Sequence, residues 1–207
     1  MIIAILGGAF DPVHVDHLHL AQVAIEAGLC QEAWLTPSPD RWDKHPQASA
    51  AHRIAMLQVA LQNSAGPIRV CTAEIDLGEF RGTYSLLKHL RSQFPQHEFR
   101  LIVGADNLAS IPTWRDPRYF TGDNFNGEQL LREFALIVFP RDPICLPSLD
   151  SFVDKSYRGI FPLRDDQAKA VGSASSTDLR TQIRKNPLSR TMLPQGVWDY
   201  IELNSLY

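Results

Sequence analysis

Two short segments of the chain carry residue types suited to phosphate chemistry. Near the start, an apolar run leads into Gly7-Gly8-Ala9-Phe10-Asp11-Pro12-Val13-His14-Val15-Asp16-His17. Paired glycines at a strand end let a backbone approach a ligand closely. A helix starting near Asp16 points its unpaired N–H groups and the positive end of its dipole at the same space, which favours an anion. His14 and His17 stand three residues apart across that start and can face one way. Two imidazoles beside helix-terminal N–H groups form a donor array for a polyphosphate. In phosphoryl transfer most of the catalysis is positioning and charge stabilisation, so such an array can itself be the catalyst. The same residues also fit an ordinary strand-to-helix turn with exposed histidines. A metal site from His14, Asp16, His17 and His19 is a third reading. Against it, zinc-binding histidines on a helix usually stand four apart, and no further ligand is close in sequence. The segment is neither G-x-G-x-x-G nor a Walker A loop.

The second segment is Ser173-Ala-Ser-Ser-Thr-Asp-Leu-Arg180. Ser175 and Asp178 have the spacing of a capping box, which predicts a helix start. The hydroxyls of Ser176 and Thr177, with the first-turn N–H groups, make a second anion site. Arg180, one turn in, reaches the same anion with a charge-assisted bond. A plain capped helix with a solvated arginine fits as well.

The elements that must position these residues alternate between strand and helix. Residues 2–6 are continuously apolar, as in a strand buried on both faces. Helical spacing follows over 18–27, with Gly28 as the stop. A strand over 33–36 ends at Pro37-Ser-Pro39. Ser49 caps a helix over about 50–62 whose apolar stripe is Ile54, Leu57, Ala60 and Leu61. Further strands are expected over 68–73, 99–103 and 134–139. Further helices are expected over about 84–93, 176–185 and 194–203, with Pro194 in the first turn of the last. This order predicts an α/β fold of Rossmann-like, doubly wound type: a mostly parallel sheet with helices on both faces. Ligands of such sheets bind beyond the carboxyl ends of the strands, here just after residues 6, 36, 103 and 139. No repeat or linker divides the chain, so residues 1–207 read as one domain. Residues 117–131 read as a surface insertion and 142–158 as loop.

The 207 residues include 20 Lys and Arg against 23 Asp and Glu, a formal charge of −3. That balance argues against a general nucleic-acid surface, so any phosphate site must be local. Cys30, Cys71 and Cys145 form no C-x-x-C pair and read as free thiols of a reducing compartment. The start lacks the basic region of a signal peptide, and its apolar run breaks at Gly7, far short of a membrane span. A cytoplasmic location without membrane attachment is expected, and the oligomeric state is left open.

Taken together, G-G-x-F-D-P-x-H-x-x-H and S-S-T-x-x-R resemble the nucleotidyltransferases of Rossmann-like fold, and more narrowly the bacterial nicotinate mononucleotide adenylyltransferase family. The likeness extends over nearly the whole chain. It includes Arg53 in Ala51-His-Arg-Ile-Ala-Met56, Thr83-Tyr84-Ser85, Gly104-Ala-Asp106, Pro112-Thr-Trp114, Arg141, Leu193-Pro194, Tyr200-Ile201 and Leu206-Tyr207. The resemblance implies adenylyl transfer from the co-substrate ATP to the 5′-phosphate of nicotinate mononucleotide, releasing pyrophosphate without a covalent enzyme intermediate. It implies catalytic roles for His14, His17 and Arg180. Gly7, Gly8, Ala9 and Phe10 would lie against the nucleotide, Gly104 and Asp106 at the adenylate ribose, and Ser176 and Thr177 at the β,γ-phosphates. Lys44, His45, Arg53, Tyr84, Ser85, Trp114 and Arg141 would bind substrate, with Trp114 against the pyridine ring and Tyr84 and Ser85 near its carboxylate. Mg²⁺ would be held through ATP phosphates and water, with no protein ligand.

The chain departs from the family pattern at several points. Ala9 stands for a usual Thr and Ser85 for another. Asp16 stands for a usual Gly and adds negative charge about where ATP would sit. Asp40-Arg41-Trp42-Asp43-Lys44-His45-Pro46 replaces a Pro-Pro-His-Lys-like loop, with Lys44 and His45 keeping its phosphate role and Arg41 a further cation. The 117–131 segment is longer than the family norm and would reshape the pyridine side or serve a partner surface. The alternatives are nicotinamide mononucleotide or another phosphorylated acceptor, and a nucleotide-binding regulator without turnover. A flat aromatic such as Trp114 favours a pyridine acceptor.

Overall fold

The computed structural model describes residues 1–39, 46–62, 64, 66–116, 125–140, 156–163 and 175–207. Its centre is a six-stranded sheet, every pairing parallel, in the order β3-β2-β1-β4-β5-β6. The strands are β1 (Ile2–Gly8), β2 (Glu32–Pro37), β3 (Ile68–Val70), β4 (Glu98–Gly104), β5 (Ala135–Phe139) and β6 (Ile160–Pro162). The chain winds outward from β1 to β3, crosses back, and winds the other way from β4 to β6. The reversal opens a crevice between β1 and β4, the place where such sheets bind ligands.

Helices cover both faces, as expected. The helices are α1 (Val15–Glu26), α2 (Ala50–Leu61), α3 (Ala73–Asp76), α4 (Thr83–Gln93), α5 (Ala105–Leu108), α6 (Gly127–Glu133), α7 (Ser176–Gln182) and α8 (Val197–Leu203). Side chains alternate across the sheet. Ala4, Leu6, Leu35, Ile102 and Ile137 join α1, α2, α7 and α8 in one apolar cluster. Ile3, Ile5, Leu101, Val103, Leu136 and Val138 join α4, α5 and α6 in another. Because β1, β4 and β5 are buried on both faces, they read as unbroken apolar runs in the sequence.

Local signals set several boundaries. Gly28 takes φ 70°, and the Gly28 and Leu29 N–H groups donate to the Ile25 and Ala24 carbonyls, ending α1 in a Schellman motif. The Ser49 hydroxyl accepts from the His52 N–H at the start of α2.

Other expectations need correction. The buried stripe of α2 is Arg53, Met56, Leu57 and Ala60, turned toward Arg53. β3 stops at Val70, and residues 73–76 form a helical turn. Pro194 lies outside α8, whose N-cap is Gly196; its carbonyl accepts from the Val197 N–H. The surface-insertion reading fails for 127–131. These residues lie in α6, where Leu130 and Leu131 are buried in the core. A Cβ on Gly127 would stand 1.6 Å from the Ile111 carbonyl oxygen, so only glycine lets α6 close onto the turn at Ile111–Thr113. Residues 117–124 and most of the expected 142–158 loop lie outside the described residues. Among the described residues, no helix is long and apolar enough to cross a membrane.

Candidate active site

β1 ends at Gly8, in register with Pro37 at the end of β2, and β4 ends at Gly104, in register with Phe139 at the end of β5. The β1–α1 loop therefore faces the start of α5 across the crevice. Nothing lies within 4 Å of a Cβ built on Gly7, whereas one on Gly8 would meet the Phe10 ring at 3.3 Å. Phe10 itself is buried and adopts φ 52°. Its ring lies edge-on to His17, with centroids 4.8 Å apart.

His14 is the N-cap of α1 and His17 its third residue. Their rings lie 3.7 Å apart at 31°. The His14 N–H donates to His17 Nδ1 at 3.2 Å. With Nδ1 as acceptor, the neutral His17 ring carries its proton on Nε2, which makes that nitrogen a donor. The helix start thus orients the paired imidazoles that the spacing predicted.

The same loop is tied from behind by residues far away in sequence. Arg53 Nη1 donates to the Ala9 and Ser38 carbonyls, each at 2.8 Å, and Nε donates to the Ala48 carbonyl at 3.2 Å. Arg53 is fully buried. Expected to touch substrate, it instead stands behind the loop, because three carbonyls converging there require a multidentate donor. Asp11 is buried too. Its Oδ1 accepts from Ala48 N–H at 3.0 Å and from the Tyr207 hydroxyl at 2.6 Å. Its Oδ2 accepts from Gln47 N–H at 2.7 Å.

The second segment meets the first at this loop. The Ser176 hydroxyl donates to the Pro12 carbonyl at 3.0 Å, and Arg180 Nη1 donates to the Asp11 carbonyl at 2.6 Å. Arg180 Nη2 donates to the Thr177 hydroxyl at 3.1 Å, while Nη1 lies 3.6 Å from Asp11 Oδ2. Ser175 is the N-cap of α7, but its side chain makes no cap bond, so the expected capping box is absent. The hydroxyl that holds the helix start is Ser176, through Pro12. Asp16, expected to add charge at the site, is buried in the first turn of α1.

Across the crevice, Asp106 is exposed in the first turn of α5, and Gly104 accommodates its carboxylate. A Cβ at Gly104 would lie 2.2 Å from Asp106 Oδ1. Trp114 is half-buried. Its indole N–H donates to the Ser110 hydroxyl at 3.2 Å, and its carbonyl accepts from the Asn126 and Gly127 N–H groups. The Ser85 hydroxyl approaches Asp116 at 3.4 Å.

Tyr84, expected near the pyridine carboxylate, reaches across to α6. Its hydroxyl donates to Glu133 at 2.5 Å, and Arg91 pairs with the same carboxylate. Burial and the Glu133 carboxylate push the Tyr84 phenol up to about 12. Burial alone would raise Glu133, but the bonds from Tyr84 and Arg91 outweigh it and hold the carboxyl below its ordinary range. Tyr84 therefore ties α4 to α6 through its hydroxyl.

Lys44, His45 and Arg141 lie outside the described residues. Burial raises Cys30 to about 11 and also raises Cys71, so neither thiol is an activated nucleophile. The chief residues that sequence reasoning passed over are Asp11 and Tyr207. Both stand inside the quoted motifs, yet their pairing across 196 positions leaves no local pattern.

The cytidylyltransferase-like family model matches residues 5–189. A curated relative from Rhodopirellula baltica, named "Probable nicotinate-nucleotide adenylyltransferase", is 33% identical over 99% of this chain and 92% of its own. One of the same name from Dechloromonas aromatica is 32% identical over 99% and 97%. Among solved structures, "Plasmodium falciparum nicotinic acid mononucleotide adenylyltransferase complexed with NaAD" superposes with a TM-score of 0.79. It shares 23% identity and covers 100% of this chain and 97% of that one, a likeness of fold.

Proposed function

The chain belongs to the cytidylyltransferase-like family, among the nicotinate-nucleotide adenylyltransferases, and we propose that it transfers the adenylyl group of ATP to nicotinate mononucleotide. The 5′-phosphate of the mononucleotide attacks the α-phosphorus, the bond to the bridging oxygen breaks, and pyrophosphate leaves. The dinucleotide formed is a step in NAD biosynthesis.

The observation that carries this reading is the meeting of the two phosphate motifs at one loop, where Ser176 and Arg180 bond to the backbone of Pro12 and Asp11 beside His14 and His17. The His17 Nε2–H and the α1 N-terminus supply donors where the leaving group gains negative charge. Arg180 and Thr177 take the β,γ-phosphates. Gly7 leaves room for the nucleotide along the strand end, and Ala9 and Phe10 shape the loop against it. Asp106, with Gly104 clearing its way, binds the adenylate ribose. Trp114 lies against the pyridine ring, with Ser85 at its side. The family resemblance assigns Lys44, His45 and Arg141, which lie outside the described residues, to binding of the anionic substrates.

Among the described residues, no group of three or more His, Cys, Asp or Glu could hold a metal ion. Mg²⁺ brought by ATP would be held by phosphates and water and would supply charge neutralisation there. Residues 1–207 form one nucleotidyltransferase domain in this reading.

The test is incubation of the purified protein with ATP, Mg²⁺ and either nicotinate or nicotinamide mononucleotide, following pyrophosphate and the dinucleotide. Turnover with a preference for nicotinate mononucleotide is expected. Absence of pyrophosphate with both acceptors overturns the assignment and points to another phosphorylated acceptor or to binding without turnover.

A further inference from the structure

Arg180 is shared between two demands. In the proposed reaction its charge must serve the triphosphate, yet its Nη1, which donates to the Asp11 main-chain carbonyl at 2.6 Å, lies 3.6 Å from the Asp11 carboxylate, beyond a good hydrogen bond. A buried carboxylate so close would ordinarily draw the guanidinium into direct contact, since charge-assisted pairs are strong where water is excluded. What relieves that pull is visible on the carboxylate itself. Both oxygens are already engaged by the Gln47 and Ala48 N–H groups and by the Tyr207 hydroxyl at 2.6 Å.

We propose that Tyr207 is a positioning residue for the triphosphate site. By donating to Asp11 Oδ1, it quenches the carboxylate enough to leave Arg180 available to ATP. Tyr207 is placed for this from outside the crevice. The segment after α8 is held by Arg184, whose Nε donates to the Tyr207 carbonyl at 2.5 Å and whose Nη2 donates to the Leu206 carbonyl at 3.0 Å. Burial and the neighbouring Asp11 raise the phenol well above its ordinary value, so it remains a protonated donor through the neutral range. Residues 184 and 207 thereby act on an anion site that neither touches. The proposal rests on the placement of ATP phosphates at Arg180 given above.

The test reads ATP affinity by calorimetry, which needs no turnover, alongside nicotinate mononucleotide affinity and melting temperature. Tyr207→Phe keeps the ring and removes the donor. It is expected to weaken ATP binding about tenfold, the scale of one lost bond to a charged group, and to leave mononucleotide affinity within about twofold. In an Arg180→Ala background the same change should have no further effect on ATP. Arg184→Ala, on the exposed surface, should weaken ATP binding in the same direction and serves if the Phe variant does not fold. Loss of affinity for both nucleotides together, in step with a lowered melting temperature, would mark a merely structural role. That result overturns the proposal, as does unchanged ATP affinity or an equal loss with Arg180 absent. A wild-type protein that binds ATP but turns over neither pyridine mononucleotide would refute the assigned reaction alone.

Discussion

In the proposed reaction His17 acts as a donor because the first turn of α1 occupies its other nitrogen: the His14 N–H is bonded to Nδ1, which assigns the proton of the neutral ring to Nε2. His14, buried at the N-cap, lies against it with the rings tilted by 31°. These two side chains were readable from spacing alone, because the first turn of a helix is a local structure. Arg53 was not readable in this way. An arginine on an amphipathic helix ordinarily faces solvent or ligand, and its inward turn here depends on three carbonyls contributed by Ala9, Ser38 and Ala48. His17→Ala and His14→Ala are each expected to lower kcat for dinucleotide synthesis more than about tenfold, roughly 1.4 kcal/mol of transition-state stabilisation. Steady-state kinetics on variants with wild-type melting behaviour check this. Undiminished turnover in both would remove the histidines from the mechanism.

At the scale of elements, α4 and α6 are joined by Tyr84, Glu133 and Arg91. The Tyr84 phenol, raised from 10.0 to about 12, binds its proton more tightly in the folded chain than in the unfolded one. Its contribution to stability is therefore complete below the unfolded value and is lost as pH rises through about 12. Glu133, held low, has the opposite sign. Its contribution is present above the unfolded carboxylate value and is lost as pH falls through the folded one. Denaturant unfolding of the wild type and Tyr84→Phe should give stabilities that converge between pH 10 and 12. A constant gap across that range would show that the phenol is not tied to α6. The helix α4 itself was legible, with Leu86, Leu87 and Leu90 inward as their spacing requires. Its neighbour α6 was not: the glycines and asparagines before it read as surface loop. Gly127 serves instead to let the helix close onto the Ile111 carbonyl.

For the molecule as a whole, one sheet is shared by two apolar clusters. Strands β1, β4 and β5 send alternate side chains into each, so neither cluster can be dismantled without disturbing the other. Heat or denaturant should produce one transition, with near- and far-ultraviolet circular dichroism coincident. Separated midpoints would mean that the halves around the crevice unfold independently and that a single domain is the wrong description.

The amino-acid sequence by itself determined the strand–helix alternation, the parallel sheet, the turn at Gly28 and the cap at Ser49, and it singled out the two segments that meet at the β1–α1 loop. Apolar periodicity, caps and glycine turns act over a few residues, so they are written locally. Tertiary structure alone decided that Asp11, Arg180 and Tyr207 converge, that Arg53 braces the loop from behind, and that Tyr84 bonds to α6. Each of those outcomes is a hydrogen bond or ion pair between residues distant in the chain, made only once the sheet and helices bring them together.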